Sequence, residues 1–286
     1  MSTTLQKPKI ACLPNGPYYL LNDPTPAAVP NLRRANGESC VTVAGIALCR
    51  CGGSRNKPFC DGTHGTIGFT DERTADDSLN RRVDYVGKRI TIHDNRGICA
   101  HAGICTDRLE AVFRMNQEPW IDPDGASAAE ILDTVAKCPS GALSCSIDGV
   151  EHRDQDREPM VQVTDDGPYA ITGGIELVGV PFAANASKEH YTLCRCGASK
   201  NKPFCDGSHW QVGFQDLADR RLDRGRLVED GHQDREPEGG LSVRAGRRCR
   251  SHRRRRLRRP PARRGGAGRS SGPARSARRP RSGRDR

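Results

Sequence analysis

Three thiols and one imidazole recur twice in this chain at a fixed spacing. The first set is Cys49, Cys51, Cys60 and His64, in the order Cys-x-Cys-x8-Cys-x3-His, and the second is Cys194, Cys196, Cys205 and His209. The stretches Cys49 to His64 and Cys194 to His209 differ only at Gly53/Ala198, Arg55/Lys200 and Thr63/Ser208. Four donors of this kind make a complete ligand set for zinc or for an iron-sulfur centre. Structural zinc sites take paired ligands separated by two to four residues, so that a tight turn aims both sulfurs at one ion, and Cys-x-Cys is closer than that. Two such thiols suit one iron of a binuclear centre, which leaves Cys60 and His64 for the other. A zinc knuckle on the same donors is the alternative.

Cys60 and His64 are four apart, one helical turn, so both face the same way at a helix start. Asp61 and Asp206 are placed there to accept orphan backbone N-H groups. Ser54 and Ser199 repeat between the ligands. Lys57 and Lys202 stand beside them, to add positive potential or simply to be solvated.

Between the two sets lies a different one. Cys99, Cys105 and Cys138-Pro139 follow the order of a single-cluster ferredoxin, Cys-x2-Cys-x2-Cys with a distant Cys-Pro, except that Ala102 stands at the second cysteine position. Three thiolates suit a 3Fe-4S centre; His101 or Cys145 would supply a fourth donor for 4Fe-4S.

The elements that must position these groups are short. Around the first set, a run through Leu21 follows Gly16-Pro17-Tyr18, and Val41 to Val43 alternates as a strand. Around the second, Gly167-Pro168-Tyr169 leads through a Gly173-Gly174 turn to Ile175-Glu-Leu177, which reads as a hairpin. Gly68-Phe69 and Gly213-Phe214 close the two repeats. In the middle, 82–92 reads as another hairpin. A helix is expected over 107–113 with Leu109, Val112 and Phe113 on one side, then a turn at Pro123 to Gly125. A second helix, capped by Ser127 and Glu130, carries Ile131, Leu132 and Val135 on its apolar face.

With 5% aromatic and 35% hydrophobic residues, the chain cannot build one large core. Small units stapled by metal are the expected solution. The 13 cysteines are read as ligands and free thiols rather than disulfides, because the N-terminus has no signal-like apolar stretch and no run is long enough to span a bilayer. A reducing, cytoplasmic location with no membrane contact is the expectation. Cys12 and Cys40 have no counterpart in the second repeat and are read as buried or free thiols.

The net charge of +11 comes from the C-terminus: residues 242–286 hold 19 Arg, no Lys and one acidic residue, and the preceding 241 residues carry −7. This tail, 229–286, reads as a disordered segment, and its Arg-only composition as an out-of-frame read-through in preference to a nucleic-acid arm; Cys249 is discounted with it.

Both repeats match Cys-x-Cys-x2-Ser/Thr-x3-Pro-x-Cys-Asp-Gly-Ser/Ala/Thr-His, and so resemble the CDGSH iron-sulfur family, which includes the mitoNEET proteins. The middle segment resembles the divergent mono-cluster 4Fe-4S ferredoxin domain that accompanies such motifs. The resemblance implies a 2Fe-2S cluster on each Cys/His set and, since one-motif members work as dimers, an intramolecular pseudo-dimer with intertwined strands. The fold class expected is therefore α+β: CDGSH units over 8–75 and 158–228, a ferredoxin-like insert over 82–148, and the tail. Electron transfer is the expected function and catalysis is not, since no base-nucleophile pair accompanies the ligands. A redox partner protein is expected, with the chain itself a monomer. Cluster transfer to an apo iron-sulfur acceptor, or redox and pH sensing by a labile His-ligated cluster, is the second reading.

Overall fold

The computed structural model describes residues 8–21, 30–40 and 45–216. The expected strand at Val41 to Val43, the Arg-rich tail and Cys249 lie outside the described residues. Among the described residues, three small sheets carry the fold. In the first repeat, β1 (Lys9–Cys12), β2 (Tyr18–Leu21), β3 (Asn31–Arg33), β4 (Ser39–Cys40) and β5 (Ala47–Leu48) are short; along β2 the buried residues Tyr18 and Leu20 alternate with half-buried ones, as one covered sheet face requires. α1 (Thr63–Thr66) follows the ligand loop. The middle segment holds β6 (Val83–Val86), β7 (Thr91–Asp94), α2 (Ile104–Arg108), α3 (Ala128–Val135), β8 (Leu143–Ile147) and β9 (Val150–His152). The second repeat has β10 (Met160–Val163), β11 (Tyr169–Thr172), β12 (Glu176–Val178), β13 (Tyr191–Leu193) and α4 (Ser208–Gln211).

The repeats trade strands. One sheet runs β12-β1-β2-β5 and the other β13-β11-β10-β3-β4. β1 pairs in parallel with β12, Ile10 opposite Leu177, and β10 pairs in parallel with β3, Val161 opposite Leu32. The hairpin expected across Gly173-Gly174 is therefore overturned. β11 has both edges taken, by β10 and β13, so the chain leaves the turn and continues to the edge of β1. Ile10, Leu20, Leu32 and Leu48 of the first repeat share one core with Val161, Ile171, Leu177 and Leu193 of the second. Neither repeat closes its own core.

The middle segment has its own sheet, β6-β7-β8-β9, and its own core of Ile92, Val112, Phe113, Ile121, Ile131 and Val135. The hairpin expected at 82–92 forms, with Val86 opposite Thr91. The capping box forms too: the Ser127 hydroxyl accepts from Glu130 N while the Glu130 carboxylate accepts from Ser127 N. The helix expected over 107–113 instead ends at Arg108. Val112 and Phe113 reach the core through a turn and a Phe113–Ile121 bridge, which satisfies the same apolar spacing without helical backbone.

Candidate metal centres

Each ligand loop is pinned at both ends by the sheet. Cys49 N donates to Pro58 O and Cys60 N to Ala47 O, both at 2.8 Å; the second copy repeats this with Cys194 N on Pro203 O and Cys205 N on Thr192 O. The serines fold the loop inward. Ser54 Oγ donates to Phe59 O at 2.6 Å and accepts from Asn56 N, and Ser199 does the same with Phe204 O and Asn201 N. The aspartates brace the entry to the helical turn. Asp61 accepts from Arg55 N and Thr63 N, and Asp206 from Lys200 N and Ser208 N. The Thr63 side chain, together with the Arg55 and Thr63 N-H groups, holds the Asp61 carboxyl far below the usual carboxylate range. Lys57 Nζ donates to Ser54 O rather than standing free, and Lys202 borders a second cavity.

The donors fall into pairs. Cys49 and Cys51 have Sγ atoms 3.9 Å apart, and Cys194 and Cys196 3.8 Å. Two thiolates on one tetrahedral ion, with bonds of about 2.3 Å, lie about 3.8 Å apart. Cys60 Sγ is 3.4 Å from His64 Nδ1 and Cys205 Sγ 3.5 Å from His209 Nδ1, against about 3.6 Å for a thiolate and an imidazole on one such ion. Each pair is thus spaced for one metal. A single ion would also hold all four donors mutually within about 4 Å. Among the described residues, however, the trio of Asp154, Glu189 and His190 is the one such group of donors lying within 4.8 Å of one another. That trio is occupied by Arg157 on Glu189 and by Ser187 on Asp154 and His190. The Cys/His sets are therefore laid out as two pairs, not around one centre.

Backbone N-H groups point at the sulfurs: Gly53 at Cys51, Gly62 at Cys60, Ala198 at Cys196 and Gly207 at Cys205, at 3.4 to 3.5 Å. Burial pushes the Cys205 thiol up to about 12. Within the Cys49–Cys51 pair, the hydrogen-bonding contact with the neighbouring Cys49 sulfur holds Cys51 below the usual thiol range.

Two residue pairs that spacing alone did not single out complete the sites. Tyr18 Oη donates across to Cys194 O at 2.8 Å and Pro203 O at 2.9 Å, while Tyr169 Oη donates to Cys49 O at 2.9 Å and Pro58 O at 3.0 Å. Each tyrosine therefore braces the other repeat's ligand loop, and both are fully buried with their rings 6.0 Å apart, edge to face. The arginine inside each Cys-x-Cys is also buried. Arg195 pairs with Asp216 and donates to Gly167 O and Thr164 O, each at 2.7 Å. Arg50 reaches Asp71 at 3.2 Å and Leu13 O at 3.4 Å, but its Nε has no partner. The sequence signal for both pairs was available: Gly-Pro-Tyr and Cys-Arg-Cys each occur twice.

Cys99, Cys105 and Cys138 border one cavity of about 970 Å³, with His101 on the same wall. His101 N donates to Cys99 Sγ at 3.4 Å, and burial with the nearby Cys138 thiol pushes Cys99 up to about 12. Cys145 is elsewhere: it sits fully buried on β8 in the apolar core of the middle segment. Cys12 and Cys40 are half-buried free thiols against the shared core. Among the described residues no helix is long and apolar enough to cross a membrane.

The family model described as iron-binding zinc finger CDGSH type matches residues 15–65 and 166–210, and that described as divergent 4Fe-4S mono-cluster matches 85–148. The chain is similar to an uncharacterized protein of Escherichia coli K12, YjdI, and to its counterpart in Escherichia coli O157:H7. Each match is 37% identical over 59 residues, which is 21% of this chain and 78% of the relative. No solved structure matches.

Proposed function

From the premise that this chain belongs to the CDGSH-type iron-binding family, with a divergent 4Fe-4S mono-cluster domain between its two CDGSH segments, we propose that it is an electron-transfer protein. It holds a 2Fe-2S centre on Cys49, Cys51, Cys60 and His64, a second on Cys194, Cys196, Cys205 and His209, and a third centre on Cys99, Cys105 and Cys138. The observation that carries this reading is the pairing of donors: each pair has the spacing of one tetrahedral ion, and no three donors of a set are grouped around a single ion. A single zinc ion does not fit that layout. For the third centre, His101 is the fourth donor in this reading, because it borders the cavity of the three cysteines while Cys145 is enclosed in the core. The centre is then 4Fe-4S.

Such centres, when bound, take up and return single electrons. The protein's part is to set how readily. Four N-H groups directed at sulfur stabilise thiolate charge, and an imidazole in place of a fourth thiolate removes one negative charge from each CDGSH site; both favour the reduced state. The exchanged strands and crossed tyrosines support reading the two CDGSH segments as an intramolecular pseudo-dimer, with the middle segment a ferredoxin-like insert. A redox protein is the partner in this reading. One observation favours transfer to an apo acceptor as a second role: Cys60 and His64 are partly exposed.

The test is the iron, acid-labile sulfide and zinc content of anaerobically purified protein, with a visible spectrum and a reductive titration on the same sample. About eight iron and eight sulfide per chain with reversible one-electron steps support all three centres, and about four of each leaves only the CDGSH pair. Zinc without sulfide refutes the proposal.

A further inference from the structure

The two ligand loops are almost identical in sequence but not in surroundings. Arg55, Asn56, Gly62 and Gly65 of the first are all exposed, and a Cβ built on Gly62 or Gly65 would meet nothing within 4 Å. Their equivalents, 145 residues on, are Lys200, Asn201, Gly207 and Trp210, and each touches the middle segment or the linker leading to it. Lys200 O accepts from Thr74 N at 2.9 Å, and Asn201 donates to Gly97 O at 3.1 Å while accepting from Arg73 Nε at 2.9 Å. Gly207 lies so close to the His101 ring that a Cβ would stand 2.8 Å from it. Trp210 Nε1 donates to His101 O at 2.9 Å, and its ring lies 5.2 Å from that of His209. The effect on the ligands is direct. Cys205 and His209 are 2% and 4% exposed, whereas Cys60 and His64 are partly exposed; the difference is confined to this Cys/His half, since Cys196 is partly exposed where Cys51 is buried.

We propose that the two CDGSH sites differ in access: the Cys60–His64 half of the first site is open to an external chelator or thiol reagent, while the Cys205–His209 half of the second is covered by the middle segment through Gly207, His101 and Trp210. This rests on the reading of both Cys/His sets as iron-sulfur sites. The closure needs only residues that differ between the loops or are placed by the fold. Trp210 stands where the first loop has Gly65, and Gly207, identical to Gly62, is covered because the His101 backbone, at φ +51°, turns its ring toward it. Release of a ligand from a buried site requires the cover to open first, so the opening free energy sets the exchange rate.

The test uses the full-length holo protein, treated anaerobically with excess iron chelator and iodoacetamide, with alkylation of Cys60 and Cys205 followed peptide by peptide by mass spectrometry. Cys60 should be labelled about tenfold faster than Cys205, the equivalent of about 1.4 kcal/mol of opening free energy. Trp210→Gly, which makes the second loop like the first, should bring Cys205 to within about threefold of Cys60 and leave Cys60 unchanged. Gly62→Ala and Gly207→Ala bear nearly the same left-handed backbone cost, at φ +86° and +84°, so any excess effect of Gly207→Ala on Cys205 reports the His101 contact. Equal labelling of Cys60 and Cys205 in the native chain, or a Cys205 that stays slow in Trp210→Gly, overturns the difference in access. Iron and sulfide content of the same sample separates this from failure of the functional reading: full loading with equal labelling sinks only the difference in access, and absent sulfide sinks both.

Discussion

Tyr18→Phe should loosen the second ligand loop, not the first. The substitution keeps the ring and its edge-to-face contact with Tyr169 and removes one fully buried hydroxyl. That hydroxyl serves two carbonyls, but not equally. Pro203 O keeps the 2.8 Å bond from Cys194 N, while Cys194 O loses its donor in a place water does not reach. Leaving one buried carbonyl without that donor costs about 1 to 2 kcal/mol, or about 5- to 30-fold in an opening equilibrium. Hydrogen exchange read by mass spectrometry on peptides covering 49–64 and 194–209 checks it. Exchange in the second peptide should quicken by that factor while the first changes less, and Tyr169→Phe should give the mirror result. If Tyr18→Phe loosens its own repeat's loop, or both loops equally, the crossed tyrosines do not brace the sites.

Two further perturbations follow from buried charges. Arg195→Met should cost about 3 to 5 kcal/mol of unfolding free energy, measured by denaturant titration, because it strands Asp216, itself 5% exposed. Arg50→Met should cost about 1 to 2 kcal/mol, since the Asp71 side chain is 31% exposed and can rehydrate; equal costs would refute the distinction. Asp94, buried beside the central cavity, has its carboxyl raised to about 6 by desolvation, with Arg96 and Trp120 only partly offsetting this. A folded-state value above the unfolded one favours the protonated form, so this contribution is present at low pH and is lost as pH rises towards and through 6. About 1 kcal/mol should go between pH 5 and 7.5, and Asp94→Asn should remove that step; a stability difference between the two proteins that does not vary with pH would contradict it.

The grouping of the candidate donors was legible because it is set locally: Cys-x-Cys and Cys-x3-His bring sulfur and imidazole together within a loop whatever the rest of the chain does. Local signals of the same kind gave the capping box at Ser127 and Glu130 and the hairpin of β6 and β7. Partnership was not legible. The alternation at Ile175-Glu-Leu177 marks a strand but not its neighbour, and β12 pairs with β1, more than 160 residues earlier. The spacing of Leu109, Val112 and Phe113 fits a helix as well as the turn and bridge that form, since both put those side chains on one core. The unequal exposure of the two sites was half visible, as Trp210 against Gly65, but its meaning depends on His101, which belongs to another segment.

Strand exchange also decides what each repeat can do alone. β12 leaves its own repeat to pair in parallel with β1, and β3 leaves the first repeat to pair in parallel with β10. By position β10 corresponds to β1 and β12 to β3, each following or preceding equivalent elements, so a second copy of residues 158–216 could supply both missing partners. The isolated segment 158–216 should therefore not fold as a monomer: it would leave the edges of β10 and β12 unpaired and Ile171, Leu177 and Leu193 without Ile10, Leu20 and Leu32. It should associate as a symmetric dimer whose stability rises with protein concentration, because folding and association are then one event. Sedimentation and far-UV spectra over a concentration series measure this. A folded monomer with a concentration-independent transition would mean that the repeat can pair its own strands, and the exchange seen in the whole chain would then be a consequence of linkage rather than a requirement of the core.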